Sequence, residues 1–268
     1  MGETIVFFRD DDVGEWTPAL RFHVDLLLEL GISCHYLVVP SYLDAGCAAT
    51  LRDLKQAHSA LVHFNQHGHT HEQILDGVAV YSEFAGGRPY ADQRDAIERG
   101  RDRLAGMLAE AFEGDVFTPP CHKYDGNTLR VLGDLGFDTL SAGVRVDPAS
   151  RVYYTVGRAL GRIELLGKRV SYHRRVMPER RLAEVSVAID VHEDQDAGGR
   201  IEKDASRLWA EFETARQHLD AVGIMTHHQV CDTPERQKTL RDFTTRLAED
   251  PSVRFADLLD LAPSRSAA

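Results

Sequence analysis

The chain has 268 residues, of which 43% are hydrophobic and 27% are charged, so its composition is that of a globular protein with a substantial core. Its formal net charge of -11 argues against a protein whose main ligand is nucleic acid, because such binding depends on clustered Lys and Arg. A neutral, small or cationic ligand fits this charge better. The length is compatible with one domain, since α/β barrels of this size form single units.

The predicted strands and helices alternate along the chain. Apolar runs predict strands at residues 4–8, 32–40, 60–65, 116–120, 137–143, 184–192 and 222–228, with a closing element at 252–260. Amphipathic patterns predict helices at residues 17–31, 89–112, 126–136, 200–221 and 234–249. This alternation predicts a parallel sheet covered by helices, and about seven βα units favour a closed or nearly closed barrel.

We predict a single barrel domain over residues 1–262. Residues 142–182 are rich in arginine and show weak periodicity, so we interpret them as an irregular insertion with short strands at 151–156 and 162–166. Residues 263–268, PSRSAA, are predicted to form a flexible tail.

The N-terminus and the cysteines indicate where the protein resides. The first residues, MGETIVFFRDDD, reach three aspartates before a signal peptide or a membrane span could form. Cys34, Cys47, Cys121 and Cys231 show no CxxC spacing and are too sparse for a disulfide framework, which predicts reduced thiols. We therefore expect a cytoplasmic protein without a membrane span, and the sequence leaves its oligomeric state open.

Acidic and imidazole side chains follow five of the predicted strands. In chain order these are Asp10, Asp11 and Asp12; His67, His69 and His71; Cys121 and His122; Asp190 and His192; and Thr226, His227 and His228. The carboxyl ends of parallel strands meet on one face, where ligands bind. An Asp pair alone more often forms a turn or caps a helix than binds a metal. A lone HxxxH more often lies on the surface or in the core without binding a metal. Five such elements on one face favour a metal site.

The ligand types indicate which metal this site would hold. Two imidazoles and one carboxylate suit zinc or another first-row divalent ion, and three protein ligands leave a position open for water. A bound divalent ion can lower the pKa of its water from 15.7 to about 7. In this interpretation Asp12 binds the metal, Asp11 takes the proton from the water, and Asp10 pairs with Arg9. The alternative for Asp10 is a side chain on the same side as Asp12.

Four motifs, FRDDDVG, HGHTH, FTPPCHKYD and IMTHH, occur in an order that resembles the polysaccharide deacetylase (NodB homology) family. The resemblance runs from about residue 5 to 230 and is stronger to a divergent bacterial branch without secretion signals. Some members of that branch are similar to proteins of lipopolysaccharide O-antigen biosynthesis. The resemblance implies a distorted (β/α)7 barrel that removes N-acetyl groups from amino sugars with one divalent metal. Zinc is the expected metal, and cobalt, nickel and manganese are alternatives.

The resemblance assigns roles position by position. Asp11 becomes the catalytic base, and Asp12, His67 and His71 become the metal ligands. The backbone between Thr118 and Cys121, including Pro120, would bind the oxyanion. The general acid would be His227, with His228 as the alternative because the strand phase is open.

The chain departs from the family pattern in three places. The family commonly has an arginine before the prolines that holds the base, but Thr118 stands there. Either Arg9 or Lys123 replaces this arginine, or the base has no such partner. Val13 replaces a glycine after the Asp pair. Asp190 is a candidate for the acid of the Asp-Trp motif of the family.

The sequence also leaves several functional alternatives. His69 and His122 would contact the substrate or would simply lie on the surface, and a Cys121–His122 nucleophile is disfavoured because adjacent side chains rarely face each other. The expected partner is a carbohydrate, either nucleotide-linked, lipid-linked or a short glycan. Competing functions are a metal hydrolase of another acyl or formyl amide or an ester, and a non-catalytic relative that binds sugar.

Overall fold

The computed structural model describes residues 2–75, 78–80, 82–84, 86–178, 182–194 and 200–263. The helices are α1 (Pro18–Glu29), α2 (Ala45–Ala57), α3 (Tyr90–Leu108), α4 (Gly126–Leu135), α5 (Pro148–Ala159), α6 (Ala205–Ala215) and α7 (Pro234–Glu249). The strands are β1 (Thr4–Val13), β2 (Cys34–Val38), β3 (Val62–His67), β4 (Gln73–Leu75), β5 (Val78–Val80), β6 (Phe112–Thr118), β7 (Thr139–Leu140), β8 (Glu164–Leu165), β9 (Lys168–Arg169), β10 (Arg175–Val176), β11 (Ala183–Glu184), β12 (Ile189–Asp190), β13 (His192–Asp194), β14 (Arg200–Glu202), β15 (Ala221–Thr226) and β16 (Val253–Phe255). The predicted tail lies outside the described residues from position 264 onward.

Seven parallel segments form a closed ring. Strands β7, β6, β3, β2, β1 and β15 are neighbours in that order. Residues 183–190 supply the seventh segment, because β11 pairs with β7 and β12 pairs with β15. Between these pairs, Val187 N donates to Ala142 O at 2.9 Å and Ala188 N donates to Gly223 O at 2.9 Å. The predicted distorted (β/α)7 barrel is therefore confirmed.

Local sequence signals explain where the helices begin. The side chain of Thr17 accepts a hydrogen bond from Leu20 N, and Pro18 occupies the first turn of α1, as predicted. Helix α7 spans the residues predicted for it. Helix α2 was not predicted, although Asp44 caps it, because only three of its residues are buried and its apolar pattern is weak.

The region 142–182 is an ordered crossover, so its prediction as an irregular insertion was wrong for most of its length. Residues 151–156 lie in α5, whereas the sequence analysis predicted a strand there. The predicted strand at 162–166 contains β8, which forms a hairpin with β9. Residues 179–181 of this region lie outside the described residues.

The helices cover the ring with apolar side chains. The largest apolar cluster lies between the sheet and α1, α2, α6 and α7, and a second cluster joins α3 and α4 to the crossover. A third cluster contains Phe7, Val116 and Met225 from three strands of the ring, together with Leu258 and Leu261 from the C-terminal segment. Among the described helices, none has both the length and the apolar character needed to cross a membrane.

Candidate metal and catalytic site

The acidic run lies inside β1, and a β-bulge separates its members. The register between β1 and β2 shifts by one residue between Asp10 and Val13, and Asp12 has a left-handed backbone with a φ of 65°. Asp11 and Asp12 consequently face one imidazole: their nearest carboxylate oxygens lie 3.9 and 3.2 Å from His67 Nε2. The strand was predicted to end before these aspartates, and the bulge explains how it continues through them.

Asp12, His67 and His71 converge on one point. Asp12 Oδ1 lies 3.2 Å from His67 Nε2 and 3.1 Å from His71 Nε2. Ligands about 2.0–2.1 Å from a tetrahedral zinc ion are separated by about 3.3 Å, so these distances fit one divalent cation. The Asp12 Oδ1 atom is buried without a hydrogen bond of good geometry, which is expected for an oxygen that faces a cation. The residues present therefore fit the metal implied by the sequence.

The protonation states of this cluster also suit a cation. His67 Nδ1 donates to the backbone carbonyl of Thr118 at 3.0 Å, which leaves the lone pair on Nε2, the atom that faces Asp12. Burial opposes ionisation of Asp12, but the neighbouring imidazoles of His67 and His71 outweigh it and hold the pKa of this carboxyl far below its usual range. Asp12 is thus an anion at every physiological pH.

Glu83 holds the loop that carries His71, a role that the sequence analysis missed. Its Oε2 accepts the backbone N–H groups of His69, Thr70 and His71 at 2.8, 3.2 and 3.1 Å. The side chain is fully buried, and burial raises its pKa. A Cβ at Gly68, where φ is 55°, would lie 2.5 Å from Glu83 Oε2, so only glycine fits beside this carboxylate. No local pattern links an acid to a loop twelve residues earlier.

Arg9 clamps Asp11 from within the same strand. Its Nε lies 2.8 Å from Asp11 Oδ1 and its Nη2 lies 3.0 Å from Asp11 Oδ2, and both side chains are almost completely buried. The predicted Arg9–Asp10 pair was therefore wrong. Of the two replacements predicted for the missing arginine, Arg9 makes this contact, whereas Lys123 is exposed.

Asp10 belongs to a separate buried network behind the cluster. It accepts hydrogen bonds from Thr226 Oγ1 at 2.8 Å and from His228 N at 2.9 Å, and its Oδ2 lies 2.7 Å from His228 Nδ1. Burial opposes its ionisation, but His228 and His23 outweigh this effect and lower its pKa. His228 is thus tied to Asp10, which disfavours it as the general acid.

His227 is the histidine that faces the candidate metal ligands. Its Nε2 lies 3.9 Å from Asp12 Oδ2, and its Nδ1 lies 3.9 Å from Asp190 Oδ1. His192, whose ring centroid is 4.6 Å from that of His227, places Nδ1 3.1 Å from Asp190 Oδ1. Burial opposes ionisation of Asp190, but His192 and His227 outweigh it and lower its pKa. Each ring nitrogen of His227 therefore has a carboxylate oxygen nearby, that of Asp12 beside Nε2 and that of Asp190 beside Nδ1.

The turn after β6 brings Pro120, Cys121 and His122 to the edge of the cluster. His122 N donates to Pro119 O and Lys123 N donates to Pro120 O, at 3.0 and 3.1 Å. Prolines have no N–H, so an oxyanion contact from this turn would come from Cys121. Its thiol is exposed, whereas the His122 imidazole points inward, 3.4 Å from Arg9 Nη2. Burial, reinforced by Arg9, holds the pKa of His122 well below its usual value.

His69 differs from its two neighbours in the HGHTH motif. Burial lowers the pKa of its imidazole, and the charges of Arg99 and Arg88 lower it further. His69 is not part of the three-residue cluster of Asp12, His67 and His71. The backbone N–H of His69 donates to Glu83 Oε2, and this hydrogen bond helps to hold the loop.

Left-handed backbone conformations also mark this site. Four of the non-glycine residues with positive φ belong to it: Asp12, His71, Cys121 and His122. Such conformations cost free energy and persist only where the surrounding structure holds them, which is common at functional sites.

A second imidazole cluster at the opposite end of the ring does not suit a metal. Asn65 Oδ1 accepts from Val116 N at 3.1 Å, so Asn65 Nδ2 must be the donor to His35 Nδ1, 3.0 Å away. His35 therefore carries its proton on Nε2, which donates to Asp257 at 3.1 Å. A protonated nitrogen cannot bind a cation, so we interpret His35, His63 and Asp257 as a hydrogen-bonded network.

A cleft of about 1120 Å³ opens beside the candidate site. Cys121, His122 and Asp190 line its inner end, and residues of the crossover between β7 and β11 form much of its wall. A cavity of this size accommodates a ligand of one to several sugar units.

Comparison with known proteins finds no match by sequence but several by structure. No protein-family model matches the sequence, and no curated protein matches it significantly. A candidate polysaccharide deacetylase from Mycobacterium smegmatis has a similar structure, with a TM-score of 0.68 and 16% identity, over 97% of this chain and 90% of its own.

Two further structures extend this similarity. A family 4 acetyl xylan esterase from Clostridium thermocellum, solved with a cobalt ion, matches with a TM-score of 0.57 and 12% identity over 98% of this chain and 96% of its own. A CE4 family pseudoenzyme from Bacillus anthracis matches with a TM-score of 0.55 and 10% identity over 97% of this chain and 65% of its own. At these identities the likeness establishes the fold, and the chain therefore has the fold of the polysaccharide deacetylases and the CE4 esterases.

Proposed function

We propose that this protein is a metal-dependent deacetylase that hydrolyses the acetyl amide of an amino sugar or a glycan. The observation that carries the proposal is the convergence of Asp12, His67 and His71 on one point, with the clamped carboxylate of Asp11 on one side and His227 on the other. Asp12, His67 and His71 would hold a divalent cation, which when bound would lower the pKa of a water molecule and polarise the acetyl carbonyl. The ligand set suits zinc, and cobalt, nickel and manganese are alternatives.

The residues of the chain would then divide the proton transfers. Asp11 accepts the proton of the attacking water, and Arg9 keeps both oxygens of that carboxylate oriented. The backbone N–H of Cys121 donates to the oxyanion that develops on the acetyl carbonyl. His227 donates a proton to the leaving amine, and Asp190 orients its ring from the far side.

The main competing function is a non-catalytic protein that binds sugar. One structural relative is described as a pseudoenzyme, and a mutant of that same relative is described as having restored enzymatic activity. The absence of the arginine that precedes the prolines in the family would favour this function. The Arg9–Asp11 ion pair weakens that argument, because Arg9 contacts the proposed base instead. An ester substrate would use the same residues, and the amide is proposed because of the sequence resemblance. A cytoplasmic role in lipopolysaccharide O-antigen biosynthesis rests on that resemblance alone.

Metal content and acetate release test the proposal together. Untagged protein is expected to bind about one equivalent of zinc, and His71→Ala is expected to lose it, whereas His58→Ala, at an exposed position, is expected to retain it. A chelator should abolish acetate release from acetylated amino sugars, and zinc or cobalt should restore it. Wild-type protein that binds no added zinc would refute the proposal, as would acetate release that a chelator leaves unchanged.

A further inference from the structure

The cleft beside the candidate site has a wall that is rich in cations, although the chain as a whole is acidic. Lys123, Arg145, Lys168 and Arg169 line the cleft, and we call these four residues the basic wall. The full chain has 31 Lys and Arg against 42 Asp and Glu, so an unselected surface would carry an excess of carboxylates. Among the described residues, no carboxylate oxygen lies within 4.0 Å of a charged nitrogen of the basic wall, although the charges of Arg169 and Arg145 act at longer range on Glu184 and Asp147.

Most carboxylates of the same cleft are occupied by other partners. Glu184 is buried and accepts hydrogen bonds from Ser171 Oγ and Ser186 Oγ at 2.7 and 2.6 Å, and burial raises its pKa. Asp125 caps helix α4, and Asp190 faces the imidazoles of the candidate site. Glu164 is the remaining acidic residue of the lining. The lining thus carries four cations and four carboxylates, and Glu164 lies opposite Arg169 in the β8–β9 hairpin. Because the other three carboxylates are held by hydrogen bonds or by imidazoles, the basic wall is the part of the cleft that is available to an anionic ligand.

Packing within the crossover holds the basic wall in position. The Tyr153 hydroxyl on α5 donates to the hairpin of β8 and β9, where its acceptors are the carbonyl oxygens of Leu165 and Lys168. The hydroxyl oxygen also accepts a hydrogen bond from Leu165 N at 3.1 Å. A Cβ at Gly157 on α5 would lie 2.3 Å from Val170 Cγ2, so glycine permits the close approach of the helix to the end of the hairpin.

Arg169 itself is held against an aromatic ring. Its guanidinium carbon lies 4.3 Å from the centroid of the Tyr124 ring, which is the geometry of a cation–π contact. A guanidinium fixed in this way presents its N–H donors in a planar fork that matches the oxygens of a carboxylate or a phosphate. Residues 142–182, predicted to be an irregular insertion, thus supply three of the four residues of the basic wall.

We propose that the natural substrate carries an anionic group, a phosphate or a carboxylate, which binds to the basic wall while its acetamido group reaches Asp12, His67 and His71. This inference rests on the proposed function, because it assigns the cleft to the substrate of that site. It replaces the neutral or cationic ligand expected from the net charge. A local group of cations next to the reacting group affects which substrates bind, even in an acidic protein.

The test compares three acetylated probes on the zinc-loaded full chain: a neutral N-acetylglucosamine disaccharide, N-acetylglucosamine 1-phosphate, and an N-acetylglucosamine–glucuronate disaccharide. We expect a KM at least about tenfold lower for one or both anionic probes, and we expect this advantage to shrink as salt screens the charges. Preference for the phosphate or for the carboxylate identifies the source of the anion. Equal KM values for all three probes would overturn the inference and would leave the deacetylase proposal intact.

Two double variants assign the preference to the basic wall. Lys168→Gln/Arg169→Gln is expected to reduce the ratio of neutral to anionic KM by about tenfold, and the single variant Lys168→Gln, at an exposed side chain, should reduce it in the same direction. Lys238→Gln/Arg241→Gln on α7 removes the same charge at exposed ion pairs and should leave the ratio unchanged. A ratio that falls equally in both double variants would contradict the role of the basic wall.

Binding measurements separate this inference from the proposed function. If no probe releases acetate, calorimetry with the same three ligands still applies. Anion binding that is weakened by Lys168→Gln/Arg169→Gln and by salt would uphold the basic wall while the deacetylase proposal fails. If neither of the two anionic ligands binds, the inference is overturned.

Discussion

Arg9 and Asp11, two residues apart on β1, form a buried ion pair with two short contacts, Nε to Oδ1 at 2.8 Å and Nη2 to Oδ2 at 3.0 Å. In a regular strand, residues two positions apart point to the same face, so Arg9 and Asp11 lie on one side of β1. The bulge that follows Asp10 changes the direction of Asp12. Ser141 Oγ accepts a further hydrogen bond from Arg9 Nη1 at 2.8 Å. The guanidinium therefore connects the proposed base to the strand on the far side of the ring.

Removal of this guanidinium should destabilise the protein. We expect Arg9→Met to lower the free energy of unfolding by about 3–5 kcal/mol, because Asp11 would remain as a buried and uncompensated charge. Urea denaturation measures the change. Arg21→Met is the matched control: Arg21 forms an exposed pair with Asp25 at 3.6 Å, and its loss should cost no more than about 1 kcal/mol. Similar losses in both variants would contradict the structural role of the Arg9–Asp11 pair.

Asp11 and Asp12 should separate catalysis from metal binding. Asp11→Asn is expected to reduce kcat by a factor of about 10²–10⁴ and to retain zinc, because the amide cannot accept the proton of the water. Asp12→Asn is expected to lose zinc, since it removes the only anionic ligand of the cluster. Elemental analysis and acetate release on the same samples distinguish the two. Loss of zinc from Asp11→Asn would show that the proposed roles are wrong.

Glu83 should control metal affinity without touching the metal. Glu83→Ala leaves three backbone N–H groups of the His69–His71 loop without their acceptor, so we expect zinc affinity to fall by about 10–100-fold. Glu83→Gln keeps an acceptor oxygen and should have a smaller effect. Competition with a chelator measures the affinity, and Glu72→Ala, at an exposed position beside the same loop, is the control. Unchanged affinity in Glu83→Ala would exclude this positioning role.

The network around His63 should make stability depend on pH. Burial opposes the charged form of His63, but its hydrogen bond to Glu113 and the charge of Asp257 outweigh burial and raise its pKa above the unfolded value of about 6.5. The stabilisation is therefore complete below about pH 6.5 and is lost as the pH rises through the folded pKa of His63. The same network lowers the pKa values of Glu113 and Asp257, so their contribution is present above the unfolded carboxyl values and is lost as the pH falls through the folded ones.

Urea denaturation between pH 6 and pH 9 measures the contribution of His63. Wild-type protein should lose stability across this range, and His63→Gln should lose less, because glutamine has no proton to release. His58→Gln, at the exposed residue that follows α2, should behave as wild type. An unchanged slope in His63→Gln would show that other groups cause the pH dependence.

The sequence by itself determined the barrel and the main residues of the candidate site. Alternating apolar runs and amphipathic segments predicted the parallel ring, because these periodicities depend on which face of each element is buried. Polar residues at strand ends, together with the family motifs, brought forward Asp11, Asp12, His67, His71 and His227, and the structure places these residues together.

Only the tertiary structure decided the contacts that depend on backbone irregularity and on distant packing. Regular strand alternation placed Arg9 and Asp11 on one face and Asp10 on the other, next to His228, against the expected pairing, whereas the bulge after Asp10 brought Asp12 to the side of Asp11. Glu83 came to the His71 loop from a separate segment, and the crossover that looked irregular became a helix and a hairpin lined with cations. The Asp10–His228 contact joins residues far apart in the chain, and Glu83 reaches the His71 loop from twelve residues away, so no local pattern in the sequence predicts either contact.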